Sequence, residues 1–240
     1  MRKYLLTLLF LSALSPLEAQ KIKTLTPFEK INIRVPEPSD IVLHPDGNSF
    51  FIVSDNGYLF ETDLKGNIIR KADYKGLDNE GVYADEHYVY AVEEFSRAIA
   101  VLDLKTLKLE RRIYIPYSGG RNSGYEAMTF NKAKGKFLLF TEKNPIYLIE
   151  LDPDFKEYNR IDISELSRDV SAATFYHDHL WILGDESMTL YKLDPNTYEK
   201  LAEWKLPIVN PEGMTFDRQG NLVILSDDMQ TMYYFKNPEQ

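Results

Sequence analysis

Apolar and polar positions alternate in short bursts along most of the chain, and the bursts repeat. In "NPEGMTFD" (residues 210–217) small and apolar residues lead into a strand, yet an acid, Glu212, stands at its mouth. The same design returns in "SDIVLHPDGNSFFIVSDN" (39–56), "NEGVYADEHYVYAVEE" (79–94), "YEAMTFNKAKGKFLLFTEK" (125–143), "SAATFYHDHLWILGDE" (171–186) and "PEGMTFDRQGNLVILSDD" (211–228). Each copy has a short apolar segment, a turn such as "HPDGN" or "DRQGN", and a second apolar strand ending in acidic residues. Period-two alternation over four to eight residues between turn signals predicts strands.

A third strand follows in four copies ("YLFETDL", "AIAVLDL", "IYLIELDP", "MTLYKLDP"), then a turn and a fourth ("NIIRKADY", "KLERRIYIP", "EYNRIDI", "EKLAEWKLP"). With Asp40, Glu80, Glu126, Ala172 and Glu212 as equivalent strand openers, the spacings are 40, 46, 46 and 40 residues. Four short strands per unit at this period is the sequence form of a β-propeller blade. The fifth copy stops after "TMYYFK", and "FEKINIRV" (28–35) alternates with Ile31, Ile33 and Val35 on one face. The expectation is an all-β, five-bladed β-propeller whose last blade is closed by the N-terminal strand, which would remove two exposed edges together. Five internal copies argue against a β-sandwich or a sixth blade. "DISELSRDV" (162–170) is expected to form one helical turn between blades.

Arg2 and Lys3 precede an apolar run and then "SPLEAQ", the pattern of a secretory signal peptide over residues 1–19. The propeller then occupies residues 20–240 as a single domain, periplasmic or secreted. No other segment is long and apolar enough to span a membrane, so membrane insertion is not expected. There is no Cys, which excludes disulfides, thiolate chemistry and a lipid-bearing Cys. The chain carries a net charge of −9 without a Lys/Arg cluster, which speaks against nucleic acid and for a cation. The propeller is expected to be a monomer with a small-molecule or protein ligand on its acidic face.

In a blade the first strand lines the central channel and begins on the face where the second strand ends. The openers Asp40, Glu80, Glu126 and Glu212 therefore converge with the second-strand closers Asp55, Glu93, Glu142, Asp185 and Asp227, and Glu94, Glu186 and Asp228 follow three of these. Like charges gathered at one rim repel and raise one another's pKa. A hard divalent cation with oxygen ligands neutralises them best, and Ca²⁺ tolerates the flexible geometry of such a ring. Without Cys, and with only four scattered His, a site for Zn²⁺ is a poorer fit. Surface carboxylates that merely accept turn N–H groups are the plain alternative for any one of them.

The units "DNEGVYADEHYVYAVEE", "GYEAMTFN" and "NPEGMTFDRQGNLVILSDD" resemble those of the SdiA-regulated family, bacterial five-bladed propellers distantly similar to NHL-repeat proteins. The resemblance covers nearly all of the chain after the leader. It implies an extracytoplasmic propeller with Ca²⁺ on the axis, ligated by Glu80, Glu126 and Glu212, and no established activity. Ala172 and Asp40 depart from the family's Glu, so the resemblance implies a lopsided site, open toward the fourth blade, with Asp185 reaching in.

The "HDH" of His177 and His179, like His44 and His87, falls in turns away from the acidic rim. "YSGGRNSGY" (117–125) links the second and third blades on the acidic face, where Arg121 is a candidate to contact an anionic ligand group. Tyr58, Tyr83, Tyr125 and Trp181 are read as packing between blades. No nucleophile elbow, H-E-x-x-H or phosphate-cradling loop is present. Two functions follow: a Ca²⁺-binding module or scaffold, or a metal-dependent hydrolase of lactonase or phosphoesterase (phytase) type. The second needs an open coordination position and a free carboxylate base. Few basic residues exist to hold phosphates, and a protein-interaction platform rests on fold analogy alone.

Overall fold

The computed structural model describes residues 22–120 and 124–240. The expected leader and Arg121 lie outside the described residues.

Two strands at the start of the chain serve blades completed much later, β1 (Lys23–Thr24) and β2 (Glu29–Asn32). Blade one follows with β3 (Pro38–Leu43), β4 (Ser49–Ser54), β5 (Leu59–Asp63) and β6 (Ile68–Lys71). Blade two has β7 (Asn79–Ala84), β8 (Tyr88–Glu93), β9 (Ala98–Asp103) and β10 (Leu109–Tyr114). Blade three has β11 (Tyr125–Asn131), β12 (Lys136–Thr141), β13 (Tyr147–Leu151) and β14 (Glu157–Asp162). Blade four has β15 (Ala172–Tyr176), β16 (His179–Gly184), β17 (Thr189–Leu193) and β18 (Lys200–Lys205). Blade five has β19 (Pro211–Phe216), β20 (Leu222–Ser226) and β21 (Thr231–Phe235), and its fourth strand is β2. The N-terminal closure is thus seen directly: β2 runs antiparallel to β21, with Glu29 opposite Tyr234 and Asn32 opposite Thr231.

The second strand of each blade explains why the ring holds. Its residues are buried on both faces, as in "SFFIVS" and "LVILS", because a neighbouring blade covers each side. Side chains alternate with period two, so one strand feeds two interfaces. Phe51 and Val53 of β4 pack toward blade two with Val89 and Ala91, while Phe50 and Ile52 pack toward blade five with Val223 and Leu225. Leu138 and Phe140 meet Leu180 and Ile182 between blades three and four, and Trp181 and Leu183 meet Leu222 and Ile224 between four and five. Tyr90 and Leu139 belong to the joint between two and three. Each such fully buried side chain contributes roughly 1.5–3 kcal/mol relative to exposure. Tyr125 and Trp181 are fully buried, as packing residues should be.

Two features depart from the sequence reading. β1 adds a fifth strand to blade four, parallel to β18, with Lys23 opposite Trp204. Residues 162–170 form no helix. Asp162 Oδ1 accepts the N–H of Ser164 at 2.9 Å, and the Leu166 N–H reaches the Ile163 carbonyl, so a side-chain-closed turn takes the place of a helical one. No helix long and apolar enough to cross a membrane occurs among the described residues.

Candidate functional site

The innermost strands begin with a register shift. Pro38 pairs with Ser54 and Asp40 with Val53; Asn79 with Glu93 and Gly81 with Val92; Tyr125 with Thr141 and Ala127 with Phe140; Pro211 with Ser226 and Gly213 with Leu225. Each shift leaves one extra residue unpaired: Ser39, Glu80, Glu126 and Glu212. A bulge of this kind bends the strand and re-aims the extra side chain. Blade four reaches the same place with Ser171, whose N–H bonds the Leu183 carbonyl just before β15. Glutamate or serine therefore occupies this position in every blade.

Glu80, Glu126, Ser171 and Glu212 open onto one cavity of ≈ 260 Å³. Blade one contributes Asp55, whose Oδ1 lies 2.5 Å from Ser39 Oγ. Blade two contributes Asp78, Glu80 and Glu94, one carboxylate oxygen from each lying within 4.8 Å of the other two. Blade three contributes Glu126 and Glu142, the latter paired with Lys143 at the rim. Blade four contributes Asp169, Ser171 and Asp185; blade five contributes Glu212 and Asp227. Asp169 Oδ2 accepts the Asp185 N–H at 2.7 Å, and its Oδ1 is buried without a hydrogen-bond partner. Gly124 stands where a side chain would not fit: a Cβ there would lie 2.5 Å from Glu94 Cγ, and its bare N–H instead bonds Glu94 Oε1 at 2.8 Å.

Burial and mutual repulsion set the proton affinities. Desolvation, then the charges of Asp55, Asp78 and Glu212, holds Glu80 well above the usual carboxylate range. Desolvation, then Glu80 and Glu142, does the same to Glu126. Burial first and neighbouring acids second push Glu212 up to about 8, and burial with Asp78 nearby pushes Glu94 to about 7. Burial and the adjoining Asp185 carboxylate push Asp169 to about 7.

Of the residues singled out from sequence, Asp55, Glu80, Glu126, Glu142, Asp185, Glu212 and Asp227 line the cavity together. Asp40 and Glu93 do not, and both are corrections. Asp40 is 1% exposed, and its carboxylate accepts backbone N–H groups from Ile41, Val82 and Met214 at 2.8, 2.9 and 3.3 Å. Its true counterparts are Gly81, Ala127, Ala172 and Gly213, one residue after the bulge. Glu93 turns into the joint between blades, bonded to Tyr74 Oη at 2.7 Å and Arg112 Nε at 2.8 Å. Both errors are one-residue slips, and a slip of one reverses the side-chain face. The supposed opening toward blade four closes for the same reason: Ala172 is core, and Asp169 and Ser171 face the cavity. Asp78 and Asp169 were missed; each stands two residues before its blade's bulge-position residue, a recurrence visible only once that position is known. The four His sit in or beside first-to-second-strand turns, away from this mouth.

The family model described as SdiA-regulated matches residues 25–236. No curated protein matches the sequence. Among solved structures, Myxococcus xanthus glutaminyl cyclase superposes with a TM-score of 0.71 at 13% identity, over 89% of this chain and 97% of that one. The β-propeller domain of Cps50 (Swd1) from Myceliophteria thermophila gives 0.52 at 13% identity, over 85% of this chain and 66% of that one. At such identity the likeness is one of fold. With five blades in place, the acidic bulges at the channel mouth and a family match spanning the whole propeller, this chain belongs to the SdiA-regulated family.

Proposed function

We propose that this protein is an extracytoplasmic β-propeller that binds Ca²⁺ in its axial cavity and acts as a binding or scaffold module. One observation carries the reading: ten carboxylate side chains line a cavity of ≈ 260 Å³ whose lining, among the described residues, includes no Lys or Arg. Concentrated negative charge of this kind costs folding stability unless a cation neutralises it. The donor set is all hard oxygen, which suits Ca²⁺. The buried, partnerless Oδ1 of Asp169 is an atom such an ion would satisfy. Asp78, Glu80 and Glu94 form the tightest donor group, with Glu126 and Glu212 beside it. Bound there, the ion would supply positive charge that ties the inner strands together. The leader-like residues 1–19 support an extracytoplasmic setting. Leu77, Phe95, Met188, Val209 and Met229 are exposed on turns of this same face, which suits a face that meets a ligand.

The test is thermal unfolding with Ca²⁺ and with a chelator. Saturation at about 100 times Kd adds roughly 2.7 kcal/mol, a shift of several degrees. An unchanged midpoint overturns the reading.

A second reading, a metal-dependent hydrolase or related proton-transferring enzyme, draws support from Glu94 and Glu212, whose pKa values of about 7 and about 8 bracket the range where a general acid–base works best. The fold shared with the glutaminyl cyclase adds glutaminyl peptides to the substrates to try. A panel of lactones, phosphoesters and glutaminyl peptides showing no Ca²⁺-dependent turnover would leave the binding module in front.

A further inference from the structure

Six of the ten acids of the cavity stand in two groups on different blades. Asp78, Glu80 and Glu94 belong to blade two. Asp169 and Asp185 belong to blade four, which in a ring of five is not a neighbour of blade two, and Glu212 enters beside them from blade five.

The blade-four group carries an independent mark of a missing partner. Asp169 is 2% exposed, lines the cavity, and keeps Oδ1 without any hydrogen bond while Oδ2 takes the Asp185 N–H. A buried carboxylate oxygen left in this state costs free energy unless a proton or a cation meets it. The neighbouring hydroxyl does not help: Ser171 Oγ donates instead to the Pro211 carbonyl at 2.9 Å. Charge count points the same way. A single divalent ion offsets two of ten carboxylates, and among the described residues no Lys or Arg lines the cavity to offset more.

We infer that the cavity holds two cations: one at Asp78, Glu80 and Glu94, and a second at Asp169, Asp185 and Glu212. This rests on the calcium reading above and extends it to a second site. The two positions use different blades, so each ion loads without occupying the other's donors.

Calcium alone is the probe. Native mass spectrometry and calorimetric titration of the unaltered protein at pH 8.5 should give two ions per chain. Asp169→Asn and Asp185→Asn should each retain one ion, and Glu80→Gln should lose the other, with circular dichroism reporting the fold of each variant. A stoichiometry of one in the unaltered protein overturns the second site and leaves the first standing. A stoichiometry of two that persists in both Asp169→Asn and Asp185→Asn also overturns it. No bound ion at all overturns the calcium reading along with it. If neither blade-four variant folds, the stoichiometry of the unaltered chain decides.

Discussion

Asp40 Oδ2 accepts the backbone N–H of Val82 at 2.9 Å, across the joint between blades one and two. Its Oδ1 meanwhile takes N–H groups from Ile41 and from Met214 of blade five. One carboxylate thus pins three innermost strands together just behind the cavity. Asp40→Ala strands these buried donors, at about 1–3 kcal/mol each. The expected result is a loss of about 3 kcal/mol or more in urea unfolding, with Asp40→Asn milder because one acceptor oxygen survives. The midpoint shift produced by Ca²⁺ should persist in any variant that folds.

The Glu126 carboxylate has no hydrogen-bond partner among the described residues and is held well above the usual carboxylate range by burial and by Glu80. Glu126→Gln removes one of the repelling charges. In chelator the variant should melt at or above the temperature of the unaltered protein, and in Ca²⁺ its gain should be smaller. Opposite signs in the two buffers separate a ligand from a structural residue. A uniform drop in both would argue against the role.

The pH dependence follows from the same acids. Glu212 at about 8, and Glu94 and Asp169 at about 7, lie above their unfolded values of 4.5, 4.5 and 3.8. The fold therefore binds protons that the unfolded chain releases. Their contribution is fully present below the unfolded values and is lost as pH rises through the folded ones. In chelator the melting temperature should fall between about pH 4 and pH 8. Because Ca²⁺ competes with those protons, its stabilising shift should grow over the same interval. Melting curves across this range with and without Ca²⁺ check both slopes.

Glu93 provides a control. It is 1% exposed and bonded to Tyr74, Arg112 and Ser96. Removing one partner of a buried ion pair costs about 3–5 kcal/mol, less here because the Arg112 side chain is 30% exposed. Arg112→Ala should destabilise by about 2 kcal/mol while leaving the number of bound Ca²⁺ ions unchanged, in contrast to Glu80→Gln.

Deleting residues 22–35 removes β2 and with it the fourth strand of blade five. The edge of β21 becomes open to other chains. Loss of the single cooperative transition and appearance of aggregates in size-exclusion chromatography are expected.

Much of this was legible in the chain because it is local. "HPDGN" and "DRQGN" close tight turns between strands whose apolar positions recur with period two, and five copies of that unit specify five blades. "FEKINIRV" could be matched to an incomplete last blade because a strand without a partner is an unmet backbone demand. The acids at strand ends were visible for the same reason, and seven of the nine reach the cavity.

The remainder depends on register between strands far apart in sequence. Asp40 turns away from the cavity because a bulge at Pro38–Asp40 shifts the pairing with β4 by one residue, and Glu93 yields to Glu94 at the facing end of blade two. Nothing in the local pattern marks where a bulge begins. Since successive side chains point to opposite faces, a one-residue shift decides between channel and core. Asp169 shows the same limit: it belongs to no strand, and only the pairing of β15 with β16 brings it beside Asp185. By itself the sequence determined the repeated strands, their number and the supply of acid at one face, all of which follow from short-range periodicity. Which carboxylates share the cavity, and which are consumed by backbone N–H groups or by Arg112, was decided only when five separately specified blades met around one axis.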